Sequence, residues 1–204
     1  MKIVDLTVVL DESTPVYPGD PATRIEPAGK LEKDGSNDHY VSVGTHVGTH
    51  IDAPLHMLAD GRHLGQFPAE QFIGRGVYIE VVDRKFDLAK VQAAGIEQGD
   101  IVLFHTGLSD HYHDADYFTD YPEIPADIAE YLVEKKVKMV GVDMSGPDHL
   151  PFEIHKILLG GGVLIIENLT NLAELAGKNF TVYALPIRLQ IDGAPARVIA
   201  QLQD

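Results

Sequence analysis

Strand-length blocks of apolar residues, separated by polar turns, recur along most of this chain. Ile3 to Leu10 is rich in β-branched residues and opens with alternation, so it reads as a strand. Tyr40-Val41-Ser42-Val43 alternates as it runs into a histidine-rich stretch. Four apolar runs, 76–82, 100–104, 138–143 and 162–167, have the look of buried strands. Residues 180–186 and 197–202 complete the strand set.

Helical signals are fewer. Residues 125–136 place apolar side chains at 128, 129, 132 and 133, with acids early and lysines late, as the helix dipole favours. Phe152 to Leu159 reads as a short helix. Asn171 to Ala176 reads as another, with Asn171 as its N-cap. Ser13 to Pro27 holds four of the twelve prolines and reads as an extended arm or loop. No repeat, low-complexity tract or linker interrupts the chain. The expected architecture is one mixed α/β domain over residues 1–204, strand-rich with few helices.

Composition narrows the chemistry. A chain of 204 residues buries enough surface to fold without disulfides, and this one has no cysteine. That excludes a cysteine nucleophile, an iron–sulfur cluster and a thiolate zinc site. Sixteen basic and 31 acidic residues give a net charge of −15. Such a surface repels phosphate backbones, so nucleic acid is not an expected partner. No basic leader precedes a long apolar stretch, and no window approaches ~18 apolar residues. A cytoplasmic protein with no membrane partner is the expectation. Ten histidines without cysteine are the first hint of metal chemistry.

The histidines concentrate in His46-Val47-Gly48-Thr49-His50-Ile51-Asp52-Ala53-Pro54-Leu55-His56. Metal ligands must converge on one ion, so they must share a face. β-branched residues and glycine disfavour helix here. In an extended segment positions 46, 48, 50 and 52 point the same way, with Gly48 leaving room for an ion. Pro54 then turns the chain and lets His56 approach from another side. Glu167 closes an apolar run, and a buried charge is expensive unless paired or coordinated. A strand-end acid reaching water is the plain alternative, as a surface helix position is for His155.

The pattern His-x-Gly-Thr-His-x-Asp-x-Pro-x-His resembles the signature of the cyclase family of metal-dependent hydrolases, which includes bacterial kynurenine formamidase and isatin hydrolase. The resemblance extends to Asp5-Leu6-Thr7, to Thr14 through Asp20, to His105-Thr106-Gly107, to Pro151 through Leu159 and to Gly162 through Leu169. It implies a swivelling β/β/α domain and a homodimer or homotetramer. It implies that His46, His50 and Asp52 bind a first metal. Asp52 and Glu167 would bridge to a second, completed by His155. His56 would be the general acid/base, and Tyr17 would stand beside the substrate where formamidases carry tryptophan.

Nitrogen and oxygen ligands without sulfur suit Zn²⁺ or Mn²⁺, one or two per chain. The implied reaction is hydrolysis of a small amide, first N-formylkynurenine to kynurenine and formate, a step of tryptophan catabolism. A cyclic amide such as isatin, or a lactone, is the second expectation. A metal-dependent cyclase or dehydratase, and a metal-binding protein without catalysis, are the alternatives of another class. His105, Ser145 and His149 are further candidates without assigned roles. His39, His63, His111 and His113 read as exposed.

Overall fold

Runs that lack alternation become the centre of one sheet. In the computed structural model, which describes residues 1–203, strands form at β1 (Lys2–Asp5), β2 (Arg24–Gly29), β3 (Asp38–Ser42), β4 (His50–Asp52) and β5 (Ile73–Glu80). They continue at β6 (Ile101–His105), β7 (Met139–Val142), β8 (Leu164–Glu167), β9 (Phe180–Pro186) and β10 (Gly193–Leu202). Helices are α1 (Leu31–Asp34), α2 (Leu88–Ala93), α3 (Ala126–Glu134) and α4 (Glu153–Gly160). The expected strand-rich mixed α/β class is the one observed.

The main sheet runs β1-β10-β4-β8-β7-β6-β5-β9, and β9 also pairs with β10. That second pairing closes seven strands into a barrel, with β1 added along β10. Strands β5 to β8 are parallel, whereas β4 runs antiparallel to both β8 and β10. Side chains of a strand alternate between faces, so each buried strand feeds two cores. Ile101 and Leu103 pack inside the barrel with Ile166, Phe180 and Val182. Val102 and Phe104 face outward against Ile128 and Leu132 of α3 and Leu158 of α4. Burial on both faces explains why these strands read as continuous apolar runs.

Several expectations shift. The first strand stops at Asp5; beyond it only Thr7 makes an isolated bridge, to Leu169. The last four residues of the presumed arm, 24–27, open strand β2, which pairs with β3 as a separate ribbon. That ribbon is exposed along nearly its whole length; the alternation at 40–43 marked β3, but nothing marked β2. Asn171 precedes a 3-10 turn, Leu172–Leu175, without capping it; its side-chain amide donates to the Asp5 carbonyl instead. Helix α2 went unread because only Val91 is buried in it, although Asp87 caps it by accepting from Ala89 N at 2.9 Å.

Candidate metal centre

Strand β4 is three residues long, yet it is bonded on both edges and wholly buried. Its register sets His50 opposite Glu167, the last residue of β8, and Asp52 opposite Gly193 at the start of β10. Helix α4 brings His155 to the same place. Its Nε2 lies 3.2 Å from Glu167 Oε1 and 3.8 Å from Asp52 Oδ2. Three separate elements therefore converge on one buried cluster.

His46 joins by another route than the shared strand face. It sits in a turn before β4, and Gly48 bends the chain with φ +66°. Gly48 faces Val8 and Leu10 and so leaves no room for an ion; its carbonyl instead accepts from His50 Nδ1 at 2.8 Å. The one-parity argument holds for His50 and Asp52 only. His46 Nδ1 bonds Asp52 Oδ1 at 2.7 Å and its Nε2 bonds Asp192 Oδ2 at 2.9 Å. A Cβ at Gly193 would lie 2.7 Å from His46 Cε1, so the ring needs glycine there. After Pro54 a 3-10 turn, Pro54–His56, carries His56 back over the cluster. Its ring stacks on His46 at 3.9 Å and stands 6.0 Å from that of His155.

The cluster fits a cation. His50 Nε2 and Asp52 Oδ2 are buried without a hydrogen-bond partner, although buried polar groups are nearly always satisfied. His50 Nε2 does lie 3.3 Å from both Asp52 Oδ1 and Glu167 Oε2, close enough for Coulomb attraction but out of line for bonding. His50 and His155 share one arrangement. Each turns Nδ1 to an acceptor, the Gly48 carbonyl or Asp148 Oδ1 at 2.5 Å, and Nε2 to the carboxylates. That is how proteins orient ligand imidazoles. Ligand atoms fall into two groups within reach of one ion, His46-Asp52-His56 and His50-Asp52-Glu167, with Asp52 in both.

The electrostatics follow from crowding. Burial alone would lower His50 and His155; Asp52 and Glu167 hold His50 well above its usual value, and Asp148 and Glu167 hold His155 at about 10. Burial also opposes His46, which Asp52 raises. Asp52 is held well below the carboxylate range, against its burial, by His46 and His50. His56 is the exception, pushed down by burial more than Asp52 lifts it.

Above the cluster opens a pocket of about 260 Å³. His46, His56, His155 and Glu167 line its floor, with His50 and Asp52 beneath. Tyr17 stands at its lip, its ring edge-on to Phe118 at 6.1 Å. All seven site residues singled out from sequence thus meet in one place. Ser145 also lines the pocket. His149 stacks on Tyr121 outside it, and His105 bonds the Tyr78 hydroxyl away from it. His63 is half-buried, unlike the exposed His39, His111 and His113. Sequence reasoning assigned no role to Asp148 or Asp192, each one acid among 31; the Asp-Gly step into β10 is the local signal at Asp192.

Residues 4–149 match the family model Cyclase, described as putative cyclase. The chain belongs to the cyclase family. An uncharacterized protein of Methanocaldococcus jannaschii is 38% identical over 99% of this chain and 100% of its own length. The kynurenine formamidase of Bacillus cereus is 30% identical over 96% of this chain and 95% of its own. The solved structure of isatin hydrolase A from Labrenzia aggregata superposes with a TM-score of 0.89 at 26% identity, covering 100% of this chain and 94% of that one. Two further solved structures, at TM-scores of 0.81 and 29% and 28% identity, are described as a potential metal-dependent hydrolase with cyclase activity and a predicted metal-dependent hydrolase from Bacillus stearothermophilus. In fold and in family the chain stands with metal-dependent hydrolases. His155 and Glu167 lie beyond the segment matched by the cyclase model, so their place in the cluster rests on the geometry above.

Proposed function

We propose that this cyclase-family protein hydrolyses the amide bond of a small aryl formamide, with N-formylkynurenine as the first substrate. The observation that carries the reading is the orphaned pair, His50 Nε2 and Asp52 Oδ2, beneath an aromatic-walled pocket. His46, His50, Asp52, His155 and Glu167 would hold one or two divalent ions, Zn²⁺ first and Mn²⁺ second by donor chemistry. An ion there supplies Lewis acidity, which brings the pKa of water down toward ~7 and polarises an acyl oxygen.

The chain's own groups do the rest. His56 keeps no hydrogen bond that commits its ring, and its nearest acid, Asp192, is 3.8 Å away. It takes the proton from the attacking water and returns it to the departing nitrogen, which leaves as an aryl amine. Its lowered pKa keeps the imidazole neutral and able to accept that proton near neutrality. Tyr17, Phe118 and Phe152 seat the aryl ring. Asp192 fixes the His46 ring, and Asp148 fixes that of His155. We further propose a homo-oligomer, because the β2–β3 ribbon leaves Tyr40 and Val41 exposed among the described residues.

Isatin, a cyclic amide, is the second reading, favoured by the likeness to isatin hydrolase A. Purified, metal-loaded protein offered N-formylkynurenine, isatin and simple lactones tests both. Formate release that stops with chelator and returns with Zn²⁺ or Mn²⁺ is expected. Turnover of isatin alone would favour the second reading, and no turnover of any would overturn the hydrolase assignment.

A further inference from the structure

Selectivity in a pocket comes from the side chains at its mouth as well as from the chemistry on its floor. Among the described residues, three carboxylates line this pocket, Asp20, Asp148 and Glu167, and its basic groups are the floor imidazoles rather than lysine or arginine. Two of the three are engaged below. Asp148 accepts from His155 Nδ1 and from Ile154 N, and Glu167 faces His50 and His155. Asp20 is different, because it is exposed at the lip.

The position of Asp20 is built into the chain. Tyr17-Pro18-Gly19-Asp20 forms a turn in which Asp20 N donates to the Tyr17 carbonyl at 2.9 Å. Proline second and glycine third, with Gly19 at φ +102°, is the pattern of a type II turn. First and fourth residues of such a turn are held close, so the Tyr17 ring and the Asp20 carboxylate border one opening. Phe118, Tyr121 and Phe152 add aromatic walls. Aromatic faces beside a carboxylate attract organic cations, and ammonium groups most of all. The net charge of −15 acts in the same direction over longer range.

Resting on the aryl-amide reading above, we propose that Asp20 makes this pocket selective for aryl substrates that carry an ammonium group over neutral aryl compounds of the same size. N-formylkynurenine offers an α-ammonium for Asp20.

Binding, measured without turnover, separates this inference from the hydrolase assignment. Dissociation constants of purified protein for benzyltrimethylammonium and benzyl alcohol are measured by NMR titration. At about 0.01 M ionic strength, where the Debye length is ~30 Å, the cation binds more tightly than the alcohol. Near 0.15 M salt, with a Debye length of ~8 Å, the spread narrows. Asp20→Asn weakens the cation relative to the alcohol by about 5-fold, the upper range for an exposed ion pair, and Asp20→Glu restores it. Alcohol binding as tight as the cation, an unchanged preference in Asp20→Asn, or no binding of the cation would each overturn the proposal. None of these would touch formate release, so the hydrolase reading stands or falls on its own test.

Discussion

The floor and the mouth of the pocket are built in opposite ways. On the floor, Asp52 is fully buried, His50, His155 and Glu167 are nearly so, and β4, β8 and α4 hold them through register and packing. At the mouth, Tyr17 is 38% exposed, Asp20 is exposed, and both ride on a turn outside the barrel. A reacting geometry tolerates little error, so it belongs on rigid elements. A recognition surface can vary on loops without disturbing that geometry. Changes to the floor should therefore abolish chemistry, and changes to the mouth should only redirect it.

The sharpest way to break that contrast is Asp52→Ala. Asp52 belongs to both candidate ligand groups, so its loss removes metal and activity together, down to the level of chelated protein. Removing one partner of a buried charge cluster also destabilises by about 3–5 kcal/mol. Asp52→Asn, which keeps the shape, is the companion variant for a melting control. Full metal content and full turnover in either variant would make Asp52 a bystander.

Next in size is His56→Ala. A general base contributes about 100- to 10,000-fold, so kcat falls at least ~100-fold while the metal and the fold stay. Metal content and kcat measured on the same sample decide the role. Because His56 can group with His46 and Asp52, complete loss of metal would recast it as a ligand.

The smallest effect belongs to the mouth. Tyr17→Ala removes one aromatic wall that is already part-exposed, so KM for an aryl formamide rises several-fold and kcat stays within a factor of about two. A collapse of kcat equal to that of His56→Ala would erase the distinction between floor and mouth.

The two regions were also unequally legible in sequence. His46, His50, Asp52 and His56 fall within eleven residues, and their side chains have few other reasons to cluster. The path between them was less legible, because a turn at 45–46 and Gly48 replaced the expected strand. Glu167 and His155 needed the family resemblance, since residue chemistry alone left a surface acid and a surface histidine open. Asp148 and Asp192 act through other side chains and carry no pattern of their own. Strands β6 to β8 stood out because burial on both faces makes them apolar nearly throughout. Strand β3 showed only as the alternation at 40–43, and β2 did not show, because an exposed strand with Pro27 and Gly29 looks like loop.

The central claim is that this barrel end is a metal centre, and metal content of protein purified without chelator tests it most directly. The account predicts between about one and two equivalents of a divalent ion per chain, zinc foremost, falling away in Asp52→Ala. Protein that holds no divalent metal, and gains no hydrolytic activity from added Zn²⁺ or Mn²⁺, would contradict it.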